Sequence, residues 1–413
     1  MKKYLLMGLV LCCFACSSHK GPLAIFQKLS PHDQYARHLA DAGLANTALG
    51  SGWLSTSQTI LAAPLKISLP YMEKGYFAAD KATATAFDFD LKRGQKISVL
   101  ITKKPVSFII YADLMLNGET VAPADSTMIS YEVKTGGNYI LRLQPELLRG
   151  GEYTLTINIG PALHFPVSAT GHPRIGGFWG EGRDEDTRKH EGIDIFAAKG
   201  TPAIAAEKGT VTNVGQNTLG GLVVFMRPEG RDYNLYYAHL DAQLVHNGQQ
   251  VNTGDTLGLV GNTGNAKNTP SHLHFGIYTG GGAIDPLLFV KPQNENPPAL
   301  TAPLNKLASM ASYNDIPVTI SAATRNSYKV IYPDNRSAFV NAAQVKPLLD
   351  LPETIRYRQP LYDAPDSNAS QITELNTKDN VNVKGIFKGY QLIGFGDKTG
   401  WTKISSSKNT ASK

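Results

Sequence analysis

Apolar positions change period along this chain. Between Pro31 and Gly52, Tyr35, Leu39, Ala40 and Leu44 recur at spacings near three and four, which predicts one apolar helix face. From Ile60 to about Pro161 the period drops to two. "TAFDFDL", "QKISVLIT", "SFIIYADLML" and "GEYTLTINI" are short β-branched or aromatic runs separated by Gly, Asn and Lys turns, the signature of strands in an antiparallel sandwich. Gly160-Pro161 breaks the pattern, and "QNENPPALTAP" (293–303) is a polar, Pro-rich linker. Short strands return in "YKVIYP", "SAFVNAAQV", "NVNVKGIF", "YQLIGFG" and "GWTKI". The expected chain is mainly β and multidomain: a β-sandwich over 60–162, a mostly antiparallel sheet domain over 163–292, and small β units over 304–413.

The N-terminus adds a destination. Lys2 and Lys3 precede an apolar run from Tyr4 to Val10 that continues to Phe14, an export signal over 1–15 that is too short to span a bilayer. Cys16 after Ala15, followed by Ser17, Ser18 and His19, resembles the lipobox of bacterial lipoproteins, with Cys13 where that motif usually has Leu. That resemblance implies a membrane anchor on Cys16, at the head of a helical segment over 16–59, and a protein facing the periplasm. Plain cleavage after Cys13-Phe14-Ala15 is the alternative. Cys12, Cys13 and Cys16 are the 3 cysteines of the chain. The mature part thus has no disulfide framework, and any metal falls to histidine and carboxylate. The formal charge of +6 comes without a dense Lys/Arg stripe, which argues against nucleic acid. A mild basic bias suits an anionic polymer such as a cell wall.

Histidines concentrate the candidate chemistry. In "RKHEGIDIF", strand period puts His190, Gly192 and Asp194 on one face and Ile193 and Ile195 on the other. Fully extended, residues four apart stand about 13 Å from each other, too far to share an ion; Gly192 permits the bend that would bring them together. In "SHLHFGIY", His272 and His274 share one face and Leu273 and Phe275 the other; in "LYYAHLD", His239 alternates with Tyr237 against Ala238 and Leu240. Each motif alone is weak. Together they place four of the 10 histidines and Asp194 within one domain-sized window, each opposite an apolar face. Such nitrogen and carboxylate donors suit zinc, whose catalytic sites use three protein ligands and keep a fourth position open. "IGGFWGEGRDEDTRKHEGID" brackets Phe178 and Trp179 with glycines, as either a rim loop with Arg183 and Arg188 meeting substrate carboxylates or a solvated loop with one packed aromatic.

"HEGID", "YAHL" and "HLHFGIY", with "GTPAIAAEKGTVTNVG" and "VNTGDTLGLVGNTGN" between them, resemble the lysostaphin/LytM-type zinc metallopeptidases of bacterial cell walls. The resemblance runs from Arg188 to Pro286 and some flank. It implies Zn2+ bound by His190, Asp194 and His274, with His239 and His272 acting on substrate and water, the division of tasks between them open. It further implies a peptidoglycan hydrolase cutting peptide bonds in stem peptides or cross-links. The alternatives are a non-hydrolytic wall-binding or activator protein of the same fold, and a metallopeptidase acting on a non-wall peptide. The sandwich is similar to bacterial pre-peptidase modules, and "DNRSAFVNAAQV" and "DKTGWTKIS" resemble the ends of SH3-like repeats, implying one or two SH3-like barrels in the tail.

Overall fold

The computed structural model describes residues 29–124, 127–183, 185–292 and 296–404. The export signal and Cys12, Cys13 and Cys16 lie outside these residues. Where the apolar period predicts one helix from Pro31 to Gly52, the chain forms two, Pro31–Asp41 and Ala48–Ala62. Gly43 takes φ 73° between them, the left-handed conformation that ends helices at glycine. The Ser30 and Thr47 side chains accept the Asp33 and Gly50 amides, so each helix starts with a capped end. Tyr35 and Leu39 pack with Trp53 and Tyr111, whereas Ala40 and Leu44 lie exposed, off the predicted face.

The alternating runs that follow close into a sandwich. One sheet orders Leu65–Lys66, Thr85–Leu91, Gly137–Pro145, Ile110–Leu116 and Glu119–Ala124. The facing sheet contains Tyr71–Phe77, Gly151–Pro161, Gln95–Lys104 and Met128–Glu132. Inward residues of both, among them Phe87, Phe89, Ile97, Val99, Leu141 and Leu155, share one core, because period-two alternation turns one face of every strand inward.

The second sheet continues past the sandwich. Ile316–Thr324 pairs with Tyr71–Phe77 through Glu73↔Thr324 and Gly75↔Ala322. Ser327–Ile331 and Ser337–Asn341 extend it further, and with Met310–Tyr313 the sheet has 8 strands. The tail expected as separate units therefore begins as an extension of the N-terminal sheet. A 6-stranded sheet between Leu351–Thr354 and Lys398–Lys403 follows, on its own core of Leu361, Leu375 and Ile393.

Between these parts lies a 10-stranded sheet whose pairings are antiparallel. Ile193–Phe196, His272–Thr279, Tyr233–Gln243 and Gly221–Pro228 are adjacent at its centre. Ile193, Ile195, Leu235, Tyr237, Leu273 and Phe275 face its core, leaving the opposite face of these strands for polar side chains. The sheet domain closes on itself where it leaves the sandwich: the Leu163 amide donates to the Phe289 carbonyl at 2.8 Å, just after the Ala162 amide donates to that of Gly94 at 2.9 Å. Arg231 crosses to the sandwich, bridging Glu132 there and Glu207 in its own domain.

Candidate metal centre

Strand register brings the first pair of side chains together. Asp194 stands directly opposite His274 in the antiparallel ladder, and Ala238 stands opposite His274 on the other side. Residues facing each other across antiparallel strands project from the same side, so Asp194 and His274 share the face away from the Ile193–Leu273 core. Ala238, having only a methyl group, leaves room above the imidazole.

His190 arrives from outside the strand. The chain bends at Gly192, which carries the His190 ring back over Asp194 and closes the gap that an extended chain would leave. Gly192 is required there less for backbone freedom than for space: a Cβ would come within 2.5 Å of the Phe275 carbonyl and 2.8 Å of the His274 ring. The three donor atoms converge. His190 Nε2 lies 3.0 Å from Asp194 Oδ1 and 2.9 Å from His274 Nδ1, and His274 Nδ1 lies 3.1 Å from Asp194 Oδ1. A tetrahedral ion with bonds of about 2.0–2.1 Å sets its ligands about 3.3 Å apart, so the spacing fits one ion shared by all three. His190 Nδ1 donates to the Phe178 carbonyl at 2.8 Å, which leaves Nε2 with its lone pair turned into the cluster. Burial works to raise the Asp194 carboxyl, but hydrogen bonds with His190 and His274 outweigh it and hold the group well below the usual carboxylate range. Burial lowers His274, favouring the neutral form that ligation needs.

Two further imidazoles flank the cluster. His272 sits two residues before His274 on the same face, with Nδ1 donating to the Pro270 carbonyl at 2.8 Å and Nε2 3.9 Å from Asp194 Oδ1. His239 donates from Nδ1 to the Thr263 carbonyl at 2.9 Å, and its ring lies 5.0 Å from that of His272. Each ring thus has one nitrogen fixed by a backbone acceptor and the other free to take or give a proton. Burial, then the charges of His272 and His274, lower His239 to about 4, so it is neutral and proton-accepting at neutral pH.

The route of His239 to this face differs from strict alternation. Tyr237, expected on the same side, is in the core, where its hydroxyl receives the Ala206 amide at 2.9 Å. Opposite it the register shifts: Leu222 pairs Leu240 and Val224 pairs Tyr237, so Ala238 and His239 together oppose one residue. This is a β-bulge. His239 takes φ 62° in it, a conformation uncommon outside glycine, and turns out to the site while Leu240 returns to the core.

All five side chains line one groove of about 1150 Å³, whose walls come from residues 176–278 alone. Neither the sandwich nor the tail contributes to them among the described residues. Phe225, Tyr236 and Tyr278 form an aromatic wall. Tyr236 has no signal of its own in the sequence, because its neighbour Tyr237 belongs to the "YAHL" run. Glu191, of opposite parity to His190 and Asp194, also reaches the groove, receiving the Tyr278 hydroxyl at 3.4 Å; parity does not apply where the chain bends. Arg183 lines the groove and is also bound to the cluster: its Nη2 donates to Asp194 Oδ2 at 2.8 Å. His164, His172 and His246 stay outside the groove lining.

The model of Peptidase family M23 matches residues 188–286. The chain is 41% identical over 108 residues to the uncharacterized lipoprotein YgeR of Escherichia coli, covering 26% of this chain and 42% of that one. It is 38% identical over 115 residues to the L-Ala--D-Glu endopeptidase of Bacillus subtilis, covering 26% and 35%, and 33% identical over 101 residues to the murein hydrolase activator NlpD of Escherichia coli, covering 24% and 26%. The match thus spans less than half of each of these relatives; the five side chains lie within residues 188–286, whereas Gly176, Gly177, Glu181 and Arg183 of the groove wall precede them. From residue 188 to residue 286, this chain carries a Peptidase family M23 domain.

Proposed function

We propose that this protein is a zinc-dependent peptidoglycan hydrolase that cuts peptide bonds in the stem peptides or cross-links of the cell wall. The observation that carries the reading is the convergence of His190 Nε2, Asp194 Oδ1 and His274 Nδ1 within 3.1 Å at the foot of an open groove. Two neutral imidazoles and one carboxylate would hold Zn2+ with net positive charge. The ion would supply a Lewis acid for an attacking water and the scissile carbonyl. His239 and His272, each with Nδ1 fixed on a carbonyl, present Nε2 toward the same space. One accepts the proton of the attacking water; either can donate to the oxyanion or return a proton to the leaving amine. Phe225, Tyr236 and Tyr278 offer the substrate an apolar wall, and the open walls admit a polymer.

The name of the Bacillus subtilis relative supports a peptide bond in the wall as target. The relative named an activator supports a second reading, wall binding without hydrolysis; the presence of all five side chains in one groove favours the enzyme. Mass analysis of products released from purified peptidoglycan separates the two and identifies the bond. No soluble fragment from wild type, in a preparation that holds zinc, would leave the activator reading. The relative named a lipoprotein supports anchoring at Cys16, and no helix among the described residues is long and apolar enough to cross a membrane. Cys16→Ser should then shift the protein out of the membrane fraction; an unanchored wild type would favour plain cleavage. The SH3-like tail units are proposed as contacts to wall peptide.

A further inference from the structure

Arg183 lies beside the candidate ligands without lining up as one of them. Its Nη2 donates to Asp194 Oδ2 at 2.8 Å and lies 3.0 Å from His190 Nδ1, while Nη1 donates to Glu181 Oε2 at 3.3 Å. A hairpin brings it there. Gly182–Arg183 pairs antiparallel with Arg188–Lys189, and the hairpin is closed at its base by His190 itself. The His190 amide donates to the Glu181 carbonyl at 2.8 Å and the His190 carbonyl receives the Gly180 amide at 2.9 Å. The same backbone that places one ligand therefore places the arginine.

The effect on Asp194 is directional. One carboxylate oxygen faces His190 and His274; the other is taken by Arg183 and lies against Gly177, where a Cβ would come within 2.4 Å of it. With Oδ2 occupied, Asp194 has only Oδ1 to offer. Resting on the zinc reading above, we propose that Arg183 is a positioning residue for the metal. It holds Asp194 as a single-oxygen ligand in the orientation that matches the two imidazoles, and its own charge draws density from the carboxylate. Positioning tightens the site, since ligands held in place need no ordering when the ion binds, and loss of such outer partners typically costs 10–100-fold in affinity. Charge acts in the opposite direction, because a guanidinium and a zinc ion repel. With a hydrogen bond of 2.8 Å from a planar donor, positioning prevails.

The test is zinc affinity by competition with a chromophoric chelator. Arg183→Ala should bind zinc about 10–100-fold more weakly than wild type. Arg183→Lys should fall between, because an ammonium carries the charge without the planar fork. Guanidinium at a low, non-denaturing concentration should restore part of the affinity of Arg183→Ala and none of that of His274→Ala. Unchanged or tighter binding by Arg183→Ala would overturn the proposal, showing that repulsion dominates. A loss recovered by neither Lys nor guanidinium would overturn it too, marking collapse of the hairpin. A wild type that takes up no zinc would instead remove the metal reading, and the proposal with it.

Discussion

Two buried polar clusters of this chain are built from similar parts and differ in what they leave open. At the seam between the sandwich and the tail, Glu73 receives Lys329 Nζ at 2.7 Å, the Tyr153 hydroxyl at 2.6 Å and the Tyr71 hydroxyl at 2.7 Å. Lys329 also lies 3.3 Å from Thr85 Oγ1 and over the Phe87 ring. Its charges cancel, both carboxylate oxygens have donors, and Glu73 is 0% exposed. In the His190–Asp194–His274 cluster, by contrast, three donor atoms turn toward a common point, and a groove opens onto it. A closed, satisfied network fixes how two segments join. Converging lone pairs become satisfied when a cation arrives. His32 shows how misleading residue identity alone can be: it contacts Ser57 and Asp33, each at 3.3 Å, in a Ser-His-Asp grouping. There, however, Ser57 receives Arg142, and the ring is shared with Gln144 and stacked on Trp53. It is a packed joint between helices and sandwich.

The contrast can be broken from either side. Lys329→Met leaves the Glu73 charge buried without its cation and should cost about 3–5 kcal/mol, read as a lower urea midpoint, with zinc content unchanged. Replacing both partners, Lys329→Met with Glu73→Leu, should recover only part of that loss, because the buried Tyr71 and Tyr153 hydroxyls lose their acceptor, and a Lys329→Met variant as stable as wild type would refute the closed-pair account. In the open cluster the cost appears with pH. Burial first holds His239 near 4 against an ordinary value of 6.5, so between those values the unfolded chain binds more protons. Metal-free protein should therefore lose stability as pH falls from about 6.5 to about 4, by about 3 kcal/mol from this group. His274 adds in the same direction. His239→Phe should flatten the slope by up to one proton, measured by denaturation at a series of pH values. Gly192→Ala forces a Cβ against Phe275 and His274; about 1–3 kcal/mol of stability should go, as for overpacking elsewhere, together with tight zinc binding.

Much of the site could be read before the fold. Parity places Asp194 opposite apolar Ile193 and His274 opposite Leu273, and the ladder then sets Asp194 and His274 face to face. Parity failed where the backbone leaves the regular strand. His239 reaches the groove through a bulge, and Glu191 through a bend, neither of which leaves a mark in the spacing of apolar residues. Arg183 was visible as a charge but not as a partner of Asp194, since a hairpin brings together two residues eleven positions apart. The larger miss is the shared sheet. Pairing Tyr71–Phe77 with Ile316–Thr324 joins segments far apart in the chain, and local periodicity reports that both are strands without reporting that they are neighbours.

Metal content is the property that His190, Asp194 and His274 fix most directly. Elemental analysis of purified wild type, His274→Ala and His272→Ala should find about one zinc per chain, almost none, and about one, respectively, because a site of three ligands that loses one holds its ion poorly. His272→Ala should nevertheless lose turnover on peptidoglycan. Equal zinc loss in both variants, or a wild type without zinc, would contradict the assignment of His190, Asp194 and His274 as the metal site and of His239 and His272 as the groups that move protons beside it.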